Sequence, residues 1–123
     1  MEWSDAQELI EEKIRIGTEL NTNKSTYRVV TSVGNIRDSE RYGYRSEKGF
    51  IVQIGKSTRI SVPWKMLEKC FIPLSSGGEY HGIYFRRYFP LQAKNHPCHV
   101  HVVGQIFVRA GIARQQRRTY TST

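Results

Sequence analysis

Histidine and arginine are the residues of this 123-residue chain whose types and spacing could do chemistry. Imidazole transfers protons near neutral pH, and the arginine guanidinium makes paired hydrogen bonds to phosphate. His99 and His101 stand two residues apart, with His81 upstream. On a strand, His99 and His101 would share one face and could hold one phosphate or metal, whereas on a helix they would point to nearly opposite sides. Whether residues 98–110 form a helix or a strand therefore decides whether these two histidines cooperate.

Residues 98–104, CHVHVVG, resemble the end of the histidine-triad motif of nucleotide hydrolases and transferases. That resemblance implies His99 as a nucleophile and His101 as a general acid or phosphate contact. The chain departs from the motif at Pro97, which stands where the first histidine belongs. One functional hypothesis is therefore a small metal-independent nuclease or nucleotide-processing enzyme that uses His99 and His101, with His81 as a third candidate. A zinc site at Cys98 is not predicted, because no second ligand pair has normal spacing, and no cofactor is predicted either.

Arginine interleaved with aromatic residues is the second chemical signal. Arg86 and Arg87 lie between two aromatic pairs in residues 84–89, YFRRYF, and residues 40–45, ERYGYR, repeat the pattern. Aromatic rings stack on exposed bases while arginine binds the backbone, so this interleaving favours nucleic-acid binding. The alternative is packing, in which tyrosines are half-buried and arginines cover their rims.

The net charge of +8 is unevenly distributed along the chain. Six of the eleven acidic residues lie in the first 20 positions. From Tyr80 onward there are seven basic residues, all four histidines and no acid, so this third should attract a polyanion. The residues predicted to bind nucleic acid are Arg41, Tyr42, Tyr44, Arg45, Arg86, Arg87, Lys94, Arg109, Arg114, Arg117 and Arg118.

The elements that must position these residues form an α+β fold with an antiparallel meander of about four strands. Alternating apolar residues predict a hairpin over residues 50–62, and further strands are predicted at 27–33 and 40–45. Ser4 or Asp5 is expected to cap an N-terminal helix, and Pro63 suits the first position of a second helix.

Two or three helices in total are predicted after the sheet, mostly in the C-terminal half. Residues 80–89 fit either a helix or a strand, and Pro90 favours a helix that ends before it. Apolar residues at Val102, Val103, Ile106 and Phe107 repeat at three and four positions and favour a last helix. Residues 1–113 are expected to form one domain, and residues 114–123 a flexible, basic polar tail.

Other chemistry is not indicated. The chain contains no phosphate-binding glycine loop of the GxxxxGK[ST] type and no GxSxG nucleophile motif. Apolar runs are far shorter than a membrane span, so no membrane partner is predicted, and the acidic N-terminus favours a cytoplasmic protein with free thiols at Cys70 and Cys98. The first hypothesis is a non-catalytic nucleic-acid-binding module, the second is the enzyme, and the third is a protein-interaction domain or homodimer.

Overall fold

The computed structural model describes residues 1–21, 27–36 and 47–123, and in these ranges the chain is α+β, as predicted. The described helices are α1 (Trp3–Lys13), α2 (Trp64–Ser75), α3 (Gly82–Tyr88), α4 (Pro90–Asn95) and α5 (His99–Arg109). The described strands are β1 (Arg28–Ile36), β2 (Glu47–Ile54), β3 (Thr58–Pro63), β4 (Glu79–Tyr80), β5 (Ala113–Gln116) and β6 (Thr119–Ser122).

The first sheet is an antiparallel meander in the order β1-β2-β3. Its β2–β3 hairpin pairs Phe50 with Val62 and Val52 with Ile60, and all four side chains are buried in the core. The prediction of a single sheet of about four strands is met only in part. The described residues form a three-stranded meander and a separate second sheet. The strand predicted at residues 40–45 lies outside the described residues.

The second sheet has the order β4-β6-β5, and β5 and β6 are built from the predicted tail. Residues 114–123 thus contribute a hairpin rather than only a terminal extension. Tyr120 of β6 explains this, since its fully buried ring pairs with the equally buried Tyr80 of β4. The contact between these two buried rings anchors the C-terminal segment. The rest of that segment is polar, and its composition alone predicts a tail.

In the sequence, helix α1 precedes the first sheet and helix α2 follows it. Helix α1 begins at Trp3, so the predicted caps Ser4 and Asp5 are inside it. Pro63 is the extended residue before α2 rather than its first helical residue. The predicted apolar stripe of α2 is buried, and it includes Met66 and Leu67.

The helices favoured at residues 80–89 and around Val102 to Phe107 are present in the C-terminal third, whereas α4 was not predicted. Residues 82–88 form α3, which ends before Pro90, and residues 99–109 form α5. The buried face of α5 includes Val102, Val103, Ile106 and Phe107. Residues 99–109 are therefore helical, and this sets the directions in which the histidines point.

Candidate functional site

An open cavity of about 430 Å³ lies between α3, the first turn of α5 and the turn that joins β5 to β6. Among the described residues that line it there are two arginines and two histidines and no acid. The lining residues are His81, Gly82, Ile83, Arg86, Pro97, Val100, His101, Arg118 and Thr119. We call this feature the basic cavity.

Arg86 is placed at the basic cavity by the first turn of α3. Its guanidinium lies against Gly82, four residues earlier, where a Cβ atom would come within 2.8 Å of Nη1 of Arg86. Residues four apart are neighbours on one face of a helix, so the missing side chain gives the arginine its space. Arg87 points in another direction and does not line the cavity.

Arg118 reaches the basic cavity from a tight turn with unusual backbone geometry. The turn consists of Arg117 and Arg118, and Arg117 has a φ of 60°, a left-handed conformation that favours glycine. Two side-chain hydrogen bonds hold the turn: Nε2 of Gln115 donates to the carbonyl of Arg117 at 2.9 Å, and Oγ1 of Thr119 donates to the carbonyl of Gln116 at 2.9 Å. The fold keeps a strained residue here, and the adjacent arginine lines the cavity.

His101 contributes an imidazole that is held in place by Tyr120. Its Nδ1 lies 2.9 Å from the Tyr120 hydroxyl. Burial, followed by the positive charges of Arg28 and Arg118, lowers the pKa of His101 from its ordinary value. Burial also raises the pKa of Tyr120 to about 12. At neutral pH the pair is therefore a neutral imidazole beside a neutral phenol.

The ring of Tyr120 is seated directly on α5 because position 104 is glycine. A Cβ atom at Gly104 would overlap the Tyr120 ring, and Gly104 lies three residues after His101, on the same side of the helix. Tyr80 adds a second connection, since its hydroxyl donates to the carbonyl of Val100 at 2.8 Å. The second sheet thus fixes the first turn of α5, which carries His101.

His99 points away from the basic cavity and belongs to the core. It is fully buried, and its Nε2 donates to the carbonyl of Ser61 at 2.8 Å. Its ring stacks on Phe85 with centroids 5.7 Å apart. Burial lowers the pKa of His99 to about 4, against backbone hydrogen bonds that favour the charged form. The helix therefore separates His99 from His101, whereas the histidine-triad motif would place both on a strand.

His81 is the second imidazole of the basic cavity, and it immediately precedes α3. Its Nδ1 atom is buried and has no hydrogen-bond partner in the part of the chain that the structure describes. A buried polar atom of this kind is costly unless a ligand or water satisfies it. The enzyme hypothesis named His81 only as a third candidate, yet His81, and not His99, shares the cavity with His101.

Arg28 is a cation near this site that the sequence analysis did not single out. It begins β1, and its Nη1 donates to Oε1 of Gln105 at 3.0 Å. Its charge acts on both His101 and Tyr120. No local pattern marks it, because Arg28 and α5 are far apart in the sequence.

Of the other predicted binding residues, those that the structure describes do not line the basic cavity. Arg109 ends α5 about 12 Å along the helix axis from His101, at 1.5 Å per residue. Arg41, Tyr42, Tyr44 and Arg45 lie outside the described residues. The remaining predicted residues are exposed elsewhere on the C-terminal third, and they are Arg87, Lys94, Arg114 and Arg117.

The aromatic residues around Arg86 and Arg87 mainly pack rather than offer open stacking surfaces. Phe85 is fully buried, and the Tyr84 hydroxyl donates to the carbonyl of Lys69 at 2.7 Å. Tyr88 is 41% exposed, and Nζ of Lys69 lies 4.2 Å from its ring centroid. Only Tyr88 among these rings presents a substantial exposed surface, so the arginines carry more of the binding argument than the rings.

Further features complete the description of the site's surroundings. Within the described ranges, no three His, Cys, Asp or Glu side chains are grouped as metal ligands would be. None of the helices that the structure describes is both long enough and apolar enough to cross a bilayer. Cys70 and Cys98 are both free thiols, as predicted.

Comparison of this chain with protein-family models, curated proteins and solved structures finds no match. The functional argument therefore rests on the chemistry of the basic cavity.

Proposed function

We propose that this protein binds nucleic acid and that the basic cavity holds a phosphate group of the backbone. The observation that carries the proposal is the convergence of Arg86 and Arg118 from distant parts of the chain, beside His81 and His101. The described lining residues include no carboxylate that would neutralise these arginines. Guanidinium groups make two parallel hydrogen bonds to phosphate, which suits them to this ligand.

The size and walls of the basic cavity support a ligand larger than a lone phosphate ion. Its volume of about 430 Å³ is in the range of sites that hold small molecules of nucleotide size. Ile83, which is 66% exposed, and Pro97 provide apolar lining. A ribose or the edge of a base can pack there while the arginines hold the adjacent phosphate.

The exposed basic residues outside the cavity support binding in a different way. Arg87, Lys94, Arg109 and Arg114 add positive charge to a C-terminal third that contains no acid from Tyr80 onward. Such charges increase the rate of encounter and the nonspecific affinity for a polyanion, and salt screens them. We assign the oriented phosphate contact to the basic cavity and the longer-range attraction to these residues.

The test is fluorescence anisotropy with labelled single-stranded and duplex DNA and RNA at low and near-physiological salt. The variant Arg86→Gln/Arg118→Gln removes two charges from the cavity, and Arg87→Gln/Arg109→Gln removes two charges from outside it. We expect the first to weaken binding by about tenfold per arginine, because each loses a charge-assisted contact. We expect the control to lose no more than about threefold.

Salt dependence gives an independent measure of the same contacts. On duplex DNA each phosphate contact contributes about 0.9 to the slope of log affinity against log salt. The cavity variant should therefore reduce the slope by about 0.9, as expected for loss of the one phosphate that the cavity holds. Equal losses in the two variants would show that total charge matters and the cavity does not. Absence of binding to every probe at low salt would refute the proposed function.

A further inference from the structure

The basic cavity contains two imidazoles that phosphate binding by arginine does not require. His81 and His101 line the same cavity from different segments, one before α3 and one in the first turn of α5. Nδ1 of His101 is engaged by the Tyr120 hydroxyl at 2.9 Å, which leaves Nε2 for a ligand. Nδ1 of His81 is buried without a partner in the described part of the chain. The arrangement thus offers two proton-transfer groups beside a phosphate site.

We infer that the basic cavity cleaves RNA, with His101 and His81 transferring protons while Arg86 and Arg118 hold the scissile phosphate. The inference rests on the proposed function, since it requires a phosphodiester in the cavity. It differs from the enzyme predicted from the sequence, because the pair is His81 with His101 and excludes the buried His99.

The reaction is an internal transesterification that needs no co-reactant. His101 takes the proton from the ribose 2′-hydroxyl, and the 2′-oxygen forms a bond to phosphorus. The bond between phosphorus and the 5′-oxygen breaks, and His81, as imidazolium, gives its proton to that leaving oxygen. The products are a 2′,3′-cyclic phosphate and a free 5′-hydroxyl. One proton is taken up and one is given, so the two histidines finish with exchanged protonation states.

The surroundings of His101 assign it as the base, which leaves His81 as the proton donor. Nδ1–H of His101 donates to the Tyr120 oxygen in the reactive tautomer, so Nε2 keeps its lone pair. Burial and the charges of Arg28 and Arg118 lower the pKa of His101, which keeps the ring neutral and able to accept a proton. Arg118 also lines the cavity. Tyr120 acts here as a positioning residue.

The arginines stabilise the charge that develops during the reaction. The pentacoordinate phosphorus carries more negative charge on its non-bridging oxygens than the diester does. Arg86 and Arg118 line the cavity from α3 and from the turn between β5 and β6, so both guanidinium groups can reach these oxygens. Electrostatic stabilisation of developing charge is among the largest contributors to catalysis.

The experiment uses the full chain, a 5′-labelled single-stranded RNA in EDTA at pH 7, and DNA and 2′-O-methyl RNA of the same sequence. We expect the RNA to be cut to a fragment that ends in a 2′,3′-cyclic phosphate, and the two analogues to bind without cleavage. His101→Gln and His81→Gln should each reduce the cleavage rate at least 100-fold and change RNA affinity less than about threefold. His96→Gln, which changes a histidine that does not line the cavity, should cleave normally.

The outcomes separate catalysis from binding. RNA that binds but is never cut overturns this inference and leaves the proposed function intact, whereas absence of binding overturns both. Cleavage that persists in both variants, or that EDTA abolishes, overturns the inference as well. If His101→Gln does not fold, the His81→Gln variant alone tests the inference. Replacing His81 does not remove the hydrogen bond between His101 and Tyr120.

Discussion

Replacing Gly104 with alanine tests the packing that holds Tyr120 against His101. Two effects oppose each other at this position. Alanine stabilises a helix interior by about 1 kcal/mol relative to glycine. The added Cβ, however, overlaps the Tyr120 ring, and forcing extra volume into a packed core costs about 1–3 kcal/mol.

Displacement of the ring also breaks the hydrogen bond between Tyr120 and His101, which is worth about 0.5–1.5 kcal/mol. The steric and hydrogen-bond losses together exceed the helix-propensity gain. We therefore expect Gly104→Ala to lower the free energy of unfolding by about 0.5–3.5 kcal/mol.

Urea denaturation followed by circular dichroism measures this change, with Tyr120→Phe as the control. Tyr120→Phe keeps the ring and removes only the hydroxyl, so it should cost about 1 kcal/mol. In the double variant, Tyr120→Phe has already removed the hydrogen bond. The double variant should therefore lose less stability than the sum of the losses in the two single variants. A Gly104→Ala protein that is about 1 kcal/mol more stable than the wild type would refute the reasoning, because alanine would then fit without moving Tyr120.

Two further predictions concern the core histidine and the strained turn. Burial lowers the pKa of His99 from 6.5 to about 4, so the unfolded chain binds a proton at this residue at a higher pH than the folded chain. The stability from neutral His99 is present above pH 6.5 and is lost as the pH falls towards 4, by up to about 3 kcal/mol. Urea titrations at several pH values should show that His99→Gln flattens this dependence. At the turn, Arg117→Gly relieves the left-handed conformation and should raise stability by up to about 1 kcal/mol in thermal unfolding. Arg118→Gly should not raise stability, and a gain from Arg118→Gly alone would contradict the assignment of strain to Arg117.

The helices of the C-terminal third were predictable because their signals are local. The apolar spacing from Val102 to Phe107 is set within two turns and favoured the helix that is present, on which His99 and His101 diverge. The role of Gly104 was not predictable in the same way. A glycine in a helical pattern weakens a prediction of helix, and only the packed structure shows that it makes room for Tyr120.

The C-terminal hairpin was missed because its turn lacks the usual residues. Two-residue hairpin turns are recognised by glycine or asparagine, whereas this turn is formed by Arg117 and Arg118. The polar residues around Tyr120 also conceal the one side chain that anchors the strand. The hairpin determines the site, since it supplies both Arg118 and Tyr120.

The basic cavity as a whole could not be predicted from spacing. His81 and Arg86 are close in sequence, but His101 and Arg118 come from elements that reach them only through the second sheet and α5. The sequence offered His99 and His101 as a possible catalytic pair, but on a helix their side chains point in different directions. The pairing of His81 with His101 depends on tertiary contacts that leave no trace in local periodicity.

The position of β6 in the centre of the second sheet has a consequence for biosynthesis. β6 lies between β4 and β5, although it follows both in the chain. At about 5–20 residues per second, the ribosome synthesises α3 and α5 before it synthesises β6. Until then Tyr80 has no partner strand and His101 has no Tyr120, so the nascent protein carries its histidines and Arg86 without an assembled cavity. Assembly of the basic cavity is thereby delayed until β6 has been translated.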